Sequence, residues 1–472
     1  MSIDYQITAP GANQPAPRLT RKLDGAPTAA PVRIVHLGLG AFHRSHQAWY
    51  TQHAGDAGEW GIASFTGRRP DAADTLSAQD GLFTLVRRSC EGDDFELVAS
   101  ITEAIDGADL QRLMQLVGSP QTAVITLTIT EAAYAIDPAN GGDLESSSAL
   151  GRLVLALNAR RKAGAGPLAV VCCDNLAHNG EVTRNAVLLL AAWPPGQDGP
   201  FAGLAEWIDA NVSFVSTSVD RITPRTTPED IALVADSCGY LDAAPVVTEP
   251  FHNWVLSGSF PAGRPRWEDA GALFVDDIEP YENRKLWLLN GAHSILAYSG
   301  LSRGHQTVAQ ALDDPICRVA VEEFWDEASR HLPASLDVSA YRAALLERFG
   351  NSRIAHHLAQ IAMDGTTKLR MRALPVLNAE RAAGRPGYGA ARAIAAWLGY
   401  LSSTTSGPQD PLAAEINSVN ALKGKERTTA LVALLDPELA TNTELVASID
   451  ALQTAFATAF PADDSAFDHA GR

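Results

Sequence analysis

No apolar run in this 472-residue chain reaches the roughly 18–20 residues that would cross a bilayer, so a membrane-spanning helix is not expected. The opening stretch MSIDYQITAPGANQPAPRL has no apolar h-region, so a signal peptide is not expected either, and the cytoplasm is the expected compartment. Positive charge is in deficit: 37 Lys and Arg stand against 55 Asp and Glu, a formal net charge of −18. No basic field is there to attract phosphates, which argues against a nucleic-acid or acidic-membrane partner. It leaves room for a local cationic pocket holding a small anion. Cysteine is scarce, and the five present (Cys90, Cys172, Cys173, Cys238, Cys317) are odd in number, with two adjacent. Free thiols in a reducing compartment fit better than a disulfide framework. With neither CxxC nor HExxH, a zinc site built from those local motifs is not expected.

What is present is an ordinary globular composition, 46 % hydrophobic, in a chain too long for one compact core. Two domains are expected after an arm. Residues 1–30, with Pro10, Pro15, Pro17 and Pro27, read as a loose N-terminal arm. Residues 31–282 alternate strand and helix signals, and a doubly wound parallel sheet fits them best. Residues 283–472 read as mostly helical, with helices expected at 283–299, 354–363 and 443–460 among others. Leu374–Tyr388, holding Pro375, Gly384, Pro386 and Gly387, reads as a loop. The acidic tail after Pro461 reads as frayed.

Three stretches carry chemistry. The first is the strand Val32–Leu37 followed by Gly38-Leu39-Gly40-Ala41-Phe42-His43-Arg44, a tight turn into a helix N-terminus that offers backbone N–H groups to a pyrophosphate. The usual third glycine is His43. The next strand ends Ser64-Phe65-Thr66-Gly67-Arg68-Arg69 without the acid that reads a ribose 2′-hydroxyl. Thr66 and Arg68 would receive a 2′-phosphate, or the arginines are solvated loop residues; NAD and NADP both stay open. The second is formed by the buried strands 122–128 and 168–173, which end in Thr130-Glu131 and Asp174-Asn175, polar groups at the carboxyl ends where α/β sheets place ligands. The Asp-Asn pair also reads as simple turn chemistry.

The third stretch is ENRKLWLLNGAHS, residues 282–294. At about 100° per residue, Glu282, Lys285, Asn290 and His293 fall within about 140° of one another on an α-helix. That face presents a base, an amide and an imidazole; a capped, snorkelling and packed surface is the plainer alternative.

Taken together, IVHLGLGAFHRSHQAWYT (34–51), ITLTITEAAY (125–134), CCDNLAHNG (172–180), FVSTSVDRITP (214–224), EPFHNWV (249–255), KLWLLNGAHSILAYSG (285–300) and QIAMDGTTKLRMR (360–372) resemble the mannitol dehydrogenase family of polyol-type long-chain dehydrogenases. The resemblance implies a Rossmann-like domain followed by a mostly α-helical one, with a metal-independent active site in the cleft between them. It implies a nicotinamide cofactor, NAD with NADP as the alternative, held around Gly38, Gly40, Ala41, Phe42, Arg44, Thr66, Arg68, Glu131 and Asp220. It implies Lys285 as general acid/base, Asn290 and His293 on the reacting oxygen, Asn175 as a second oxyanion amide, and Glu282 as a proton link to solvent. A solution lysine titrates near 10.4, and burial beside a nicotinamide charge lowers it toward working pH.

For substrate, QIAMDGTTKL is more similar to the fructuronate reductase (mannonate oxidoreductase) branch. The resemblance gives Lys368, Arg372 and Gln360 the substrate. Lys368 and Arg372 suit a carboxylate that a hexitol lacks. Gln360 stands where the mannitol-oxidising branch often has arginine, and Arg370 stands where proline is usual. The expected substrate is D-mannonate/D-fructuronate, with mannitol or arabinitol as the alternative. Further rivals are a zinc-dependent dehydrogenase and a nucleotide-binding module without catalysis. The expected assembly is a monomer or small homo-oligomer.

Overall fold

The computed structural model describes residues 16–136, 148–192, 201–404 and 407–457, so Pro10, Pro15 and the acidic tail lie outside the described residues. The chain divides into two compact units, Met1–Glu279 and Pro280–Arg472.

The strands of the first unit are β1 (Val32–Leu37), β2 (Gly61–Phe65), β3 (Phe83–Arg88), β4 (Asp93–Val98), β5 (Ile101–Ile105), β6 (Val124–Leu127), β7 (Leu168–Cys172), β8 (Val212–Asp220), β9 (Val246–Thr248), β10 (Asn253–Ser257) and β11 (Leu273–Phe274). One sheet runs β11-β10-β8-β7-β6-β1-β2-β5. β5, β2, β1, β6, β7 and β8 pair parallel, while β10 lies antiparallel on β8. Counted along the chain, the six parallel strands have the order 3-2-1-4-5-6 of a dinucleotide-binding Rossmann sheet. Strand order reverses between β1 and β6, so their carboxyl ends flank the switch point where such sheets bind ligands.

Sequence explains the layering. β6 and β7 are buried at every residue and apolar but for Thr126, as strands covered on both faces must nearly be. Along β1, side chains alternate between two cores: Ile34 joins Trp49, Tyr50, Ile62 and Trp254, while Val35 and Leu37 join Phe65, Ile125, Leu153 and Val170. The pair expected from Phe83 and Phe95 is present as antiparallel β3 and β4, but with β9 it forms a separate three-stranded sheet.

Residues 16–30, expected to be part of a loose arm, carry no helix or strand but are tied down. Leu19 is fully buried, and its N–H donates to Leu241 O at 2.9 Å. The Arg21 guanidinium donates to the carbonyls of Asp80, Pro27, Ala99 and Ile101 at 2.7–2.9 Å. A planar fork with five donors does what a ladder would do in a strand.

The second unit is helical. At its centre is helix Ala292–Ser302, buried at every residue from Ala292 to Gly300, packed against helices Pro315–Ser329 and Tyr388–Ser403. A sequence of apolar and small residues with no fully charged side chain suits that position. Two expectations need correction. Leu374–Tyr388 is not a loop: helix Leu374–Ala382 takes Pro375 into its first turn, where no N–H is needed, and Gly384 and Gly387 make the turn at φ +74° and +70°. Of the helix expected at 354–363 only Leu358–Ile361 forms, because His357 is drawn into a bridge with Thr307.

Candidate active site

In the first unit the site begins at the β1 turn. The N–H groups of Gly38 and Leu39 donate to Phe65 O at 2.9 and 2.8 Å, tying the turn to β2. Gly38 sits at φ +113°, and a Cβ there would lie 2.0 Å from Thr128 O, so only glycine fits. Gly40 caps helix Ala41–Ser45 without a side-chain bond, leaving the first-turn N–H groups uncapped by side chains. Ala41 and Phe42 are half-buried there. His43, in place of a third glycine, is fully buried, its ring stacked on His36 at 3.3 Å and its Nε2 2.9 Å from Ser64 Oγ. Burial pushes His36 down to about 3 and holds His43 well below the usual histidine range, so both are neutral packing groups at pH 7.

The remaining first-unit candidates divide into held and exposed groups. Arg44 turns to protein carbonyls, donating to Ala244 O at 2.5 Å and Gly40 O at 3.3 Å. Thr66 is buried, accepting the Gly107 N–H at 2.9 Å. Arg68 and Glu131 are exposed. Asp220 is buried at the end of β8, and its neighbour Arg221 donates to Ser45 O at 2.6 Å. Asn175 is exposed just past β7. The loop is organised by Asp174, which the sequence offered as a polar strand-end residue or as simple turn chemistry. Its carboxylate accepts Ile129 N–H at 3.0 Å, Thr130 N–H at 2.9 Å and Tyr134 O–H at 2.6 Å, fixing Thr130 at φ +76° beside Glu131. Burial raises its pKa despite these donors.

The second unit holds Glu282, Lys285, Asn290 and His293 on one continuous helical stretch, but its winding changes. Glu279–Arg284 is α-helical, Lys285–Gly291 is a π-helix, and α-winding resumes at Ala292. A π-turn inside an α-helix is rare and concentrates at functional sites. At roughly 82° per residue in an i→i+5 winding, Lys285 and Asn290 would come within roughly 50° of each other, against about 140° on an α-helix. Glu282, Lys285 and Asn290 are partly accessible. His293 is buried, edge-on to His356 at 4.7 Å and beside Phe349 at 4.8 Å. Its Nε2 has no hydrogen-bond partner among the described residues. Burial, then the charges of His356, Arg348, Arg372 and Lys285, hold its pKa well below the usual range. A neutral imidazole nitrogen is thus available to one further group.

Helix Gly365–Arg372 carries the expected substrate cations. Lys368 Nζ donates to Ile361 O at 3.1 Å. Arg372 Nη1 donates to Asn290 O at 3.1 Å and Ser294 Oγ at 2.9 Å. Arg370 donates to Leu435 O at 3.1 Å and Leu434 O at 2.5 Å, closing the end of helix Gly424–Leu435. Gln360 is exposed and lines a cavity of about 280 Å³ with Ala359, Ala362, Met363, Tyr400 and Gln409. Sequence reading did not single out Ser294 or Trp325, whose Nε1 donates to Leu288 O at 2.7 Å; their partners are distant in the chain.

Two family models cover the chain: the mannitol dehydrogenase Rossmann domain over residues 32–269 and the mannitol dehydrogenase C-terminal domain over residues 277–456. The chain belongs to the mannitol dehydrogenase family. As a member of that family it is an oxidoreductase. It is 36 % identical to the D-mannonate oxidoreductase of Escherichia coli K12, over 89 % of this chain and 92 % of that one. It is 34 % identical to a mannitol 2-dehydrogenase of Cereibacter sphaeroides, over 80 % of this chain and 83 % of that one. A mannitol 2-dehydrogenase of Pseudomonas fluorescens, solved as a ternary complex with NAD and D-mannitol, superposes with a TM-score of 0.73 at 33 % identity, covering 90 % of this chain and 92 % of that one.

Proposed function

We propose that this family member interconverts a secondary alcohol and a ketone on an open-chain sugar derivative, with NAD as cofactor and D-mannonate/D-fructuronate as substrate pair. The observation that carries the chemistry is the π-turn, whose wider winding would bring Lys285 and Asn290 closer in angle than an α-helix does, while His293 Nε2 has no hydrogen-bond partner among the described residues.

The first unit fits a dinucleotide. Gly38 leaves a space that any Cβ would fill, and the first turn after Gly40 has no side-chain cap. Gly38, Gly40, Ala41 and Phe42 would line the pyrophosphate, with Glu131 past β6 and Asp220 at the end of β8; Arg44 braces the turn through Gly40 O, and Thr66 ties the end of β2 to Gly107. When bound, the nicotinamide ring exchanges hydride with the substrate carbon. The protein's task is the proton. Lys285 removes it from the hydroxyl on oxidation and returns it on reduction. Asn290 and His293 hold the reacting oxygen with neutral donors, so the developing negative charge is steadied without a competing counter-charge. Asn175 supplies a second amide, and Glu282 passes the proton between Lys285 and solvent.

The substrate choice rests on Lys368 and on the similarity to the D-mannonate oxidoreductase. Lys368 Nζ donates to Ile361 O at 3.1 Å, and its ammonium carries the charge that suits a carboxylate. A polyol such as mannitol or arabinitol is the second reading, favoured by the neutral Gln360, Tyr400 and Gln409 around the cavity. Initial rates of NADH oxidation with D-fructuronate and D-fructose at matched concentrations, repeated with NADPH, separate the two. A preference for fructuronate of roughly a hundredfold, about 2.7 kcal/mol, supports the uronate reading. A preference for fructose overturns it in favour of a polyol.

A further inference from the structure

A π-turn leaves its helix in difficulty. The extra residue breaks the i→i+4 ladder, so carbonyls around it need partners from elsewhere. Two carbonyls of Lys285–Gly291 find them in side chains far away in sequence. Leu288 O accepts the Nε1–H of Trp325, a fully buried residue, at 2.7 Å. Asn290 O accepts from Arg372 Nη1 at 3.1 Å. The same Nη1 reaches Ser294 Oγ at 2.9 Å, so one guanidinium spans the join between the π-turn and the α-helix that follows. On the Trp325 side the backbone comes in close: a Cβ on Gly291 would stand 2.5 Å from the Phe324 ring.

We propose that Arg372 and Trp325 are positioning residues, which hold the π-winding that turns Asn290 toward Lys285, and that Arg372 does not read the substrate. This rests on the roles given above to Lys285 and Asn290. The guanidinium is attached to the backbone of the very residue whose side chain is to meet the reacting oxygen. Relaxing the turn to α-winding would swing Asn290 by roughly 90° relative to Lys285. Removing either donor takes away a bond that ties a carbonyl of the turn to a distant side chain, and with it a reason for the unusual winding. A carboxylate-reading arginine instead points its free fork at the ligand, and its loss is felt only by ligands carrying that charge.

The test compares Arg372→Met, Arg372→Lys and Trp325→Phe in the full chain, with NADH and both D-fructuronate and D-fructose. Positioning predicts that Arg372→Met lowers kcat roughly 10- to 100-fold on every ketone the enzyme reduces, with KM changed less than about threefold, since small misplacements of catalytic groups cost rates of that order. Arg372→Lys, which restores a cationic donor, recovers part of kcat. Trp325→Phe, which keeps the bulk and deletes one N–H, lowers kcat in the same way. The proposal is overturned if Arg372→Met raises KM for fructuronate alone and leaves kcat intact. Should Arg372→Met fail to fold, normal kcat in both Arg372→Lys and Trp325→Phe overturns it equally. Lys285→Ala separates the two levels. Normal turnover in that variant removes the functional reading itself, whereas an inactive Lys285→Ala beside normal Arg372→Met and Trp325→Phe removes only the positioning role.

Discussion

Gly291→Ala is the smallest change that loads the π-turn. Gly291 has φ −63° and ψ −49°, ordinary helical backbone, so strain in the dihedrals is not at issue. On propensity alone alanine should help, by about 0.5–1 kcal/mol. Space decides otherwise. The new methyl would meet Phe324 Cε1 at 2.5 Å and Cζ at 3.0 Å, while carbons pack at about 3.5–4.0 Å. Relief requires about 1 Å of movement by a fully buried ring or by the turn. Overpacking of this kind costs about 1–3 kcal/mol, so the net loss expected is about 1–2 kcal/mol. Urea denaturation measures it, and kcat reports whether the turn itself has moved. Phe324→Leu in the same chain should recover part of both losses, giving a favourable coupling in the double-mutant cycle. A Gly291→Ala enzyme as stable as the parent, with normal kcat, would show that the close approach does not constrain this turn.

Two further outcomes follow from single sites. Gly38→Ala should abolish dinucleotide binding by titration calorimetry, because the Cβ meets the Thr128 carbonyl at 2.0 Å and φ +113° is closed to alanine; retained affinity would refute the assignment of that turn. Asp314 is pushed up by burial but pulled further down by bonds from Arg303 at 2.6 Å and His305 at 2.9 Å, to about 2 against an ordinary 3.8. A depressed carboxylate stabilises the fold above its unfolded pKa and loses that contribution as pH falls from about 4 to 2, here about 2 kcal/mol. Asp314→Asn, which keeps a helix cap, should lose this pH-dependent component, and parallel stability curves for the two proteins between pH 7 and pH 3 would contradict it.

Local pattern carried much of the fold. β1, β6 and β7 were legible because strands covered on both faces read as mostly apolar, β-branched runs, and the glycine turn because Gly38 admits no other residue. The order of those strands was not in the pattern; it is made by long crossovers that no short window sees. Proline misled at Pro375, which breaks a helix interior but suits a first turn. The segment 282–294 was legible as one helix, yet LWLLNGAHS has no local mark of π-winding. The groups that hold that winding, Trp325 and Arg372, lie 37 and 82 residues from the carbonyls they bind. For the same reason the sequence, which offered Arg372 to the substrate, could not show its bonds to Asn290 O and Ser294 Oγ, nor the three donors that meet Asp174.

The central claim is that Lys285 moves the proton. The direct measurement is single-turnover hydride transfer by Lys285→Ala, with NADH affinity determined on the same preparation. The expected rate is lower by at least roughly a hundredfold with NADH affinity unchanged. A near-normal rate with the same affinity would contradict it.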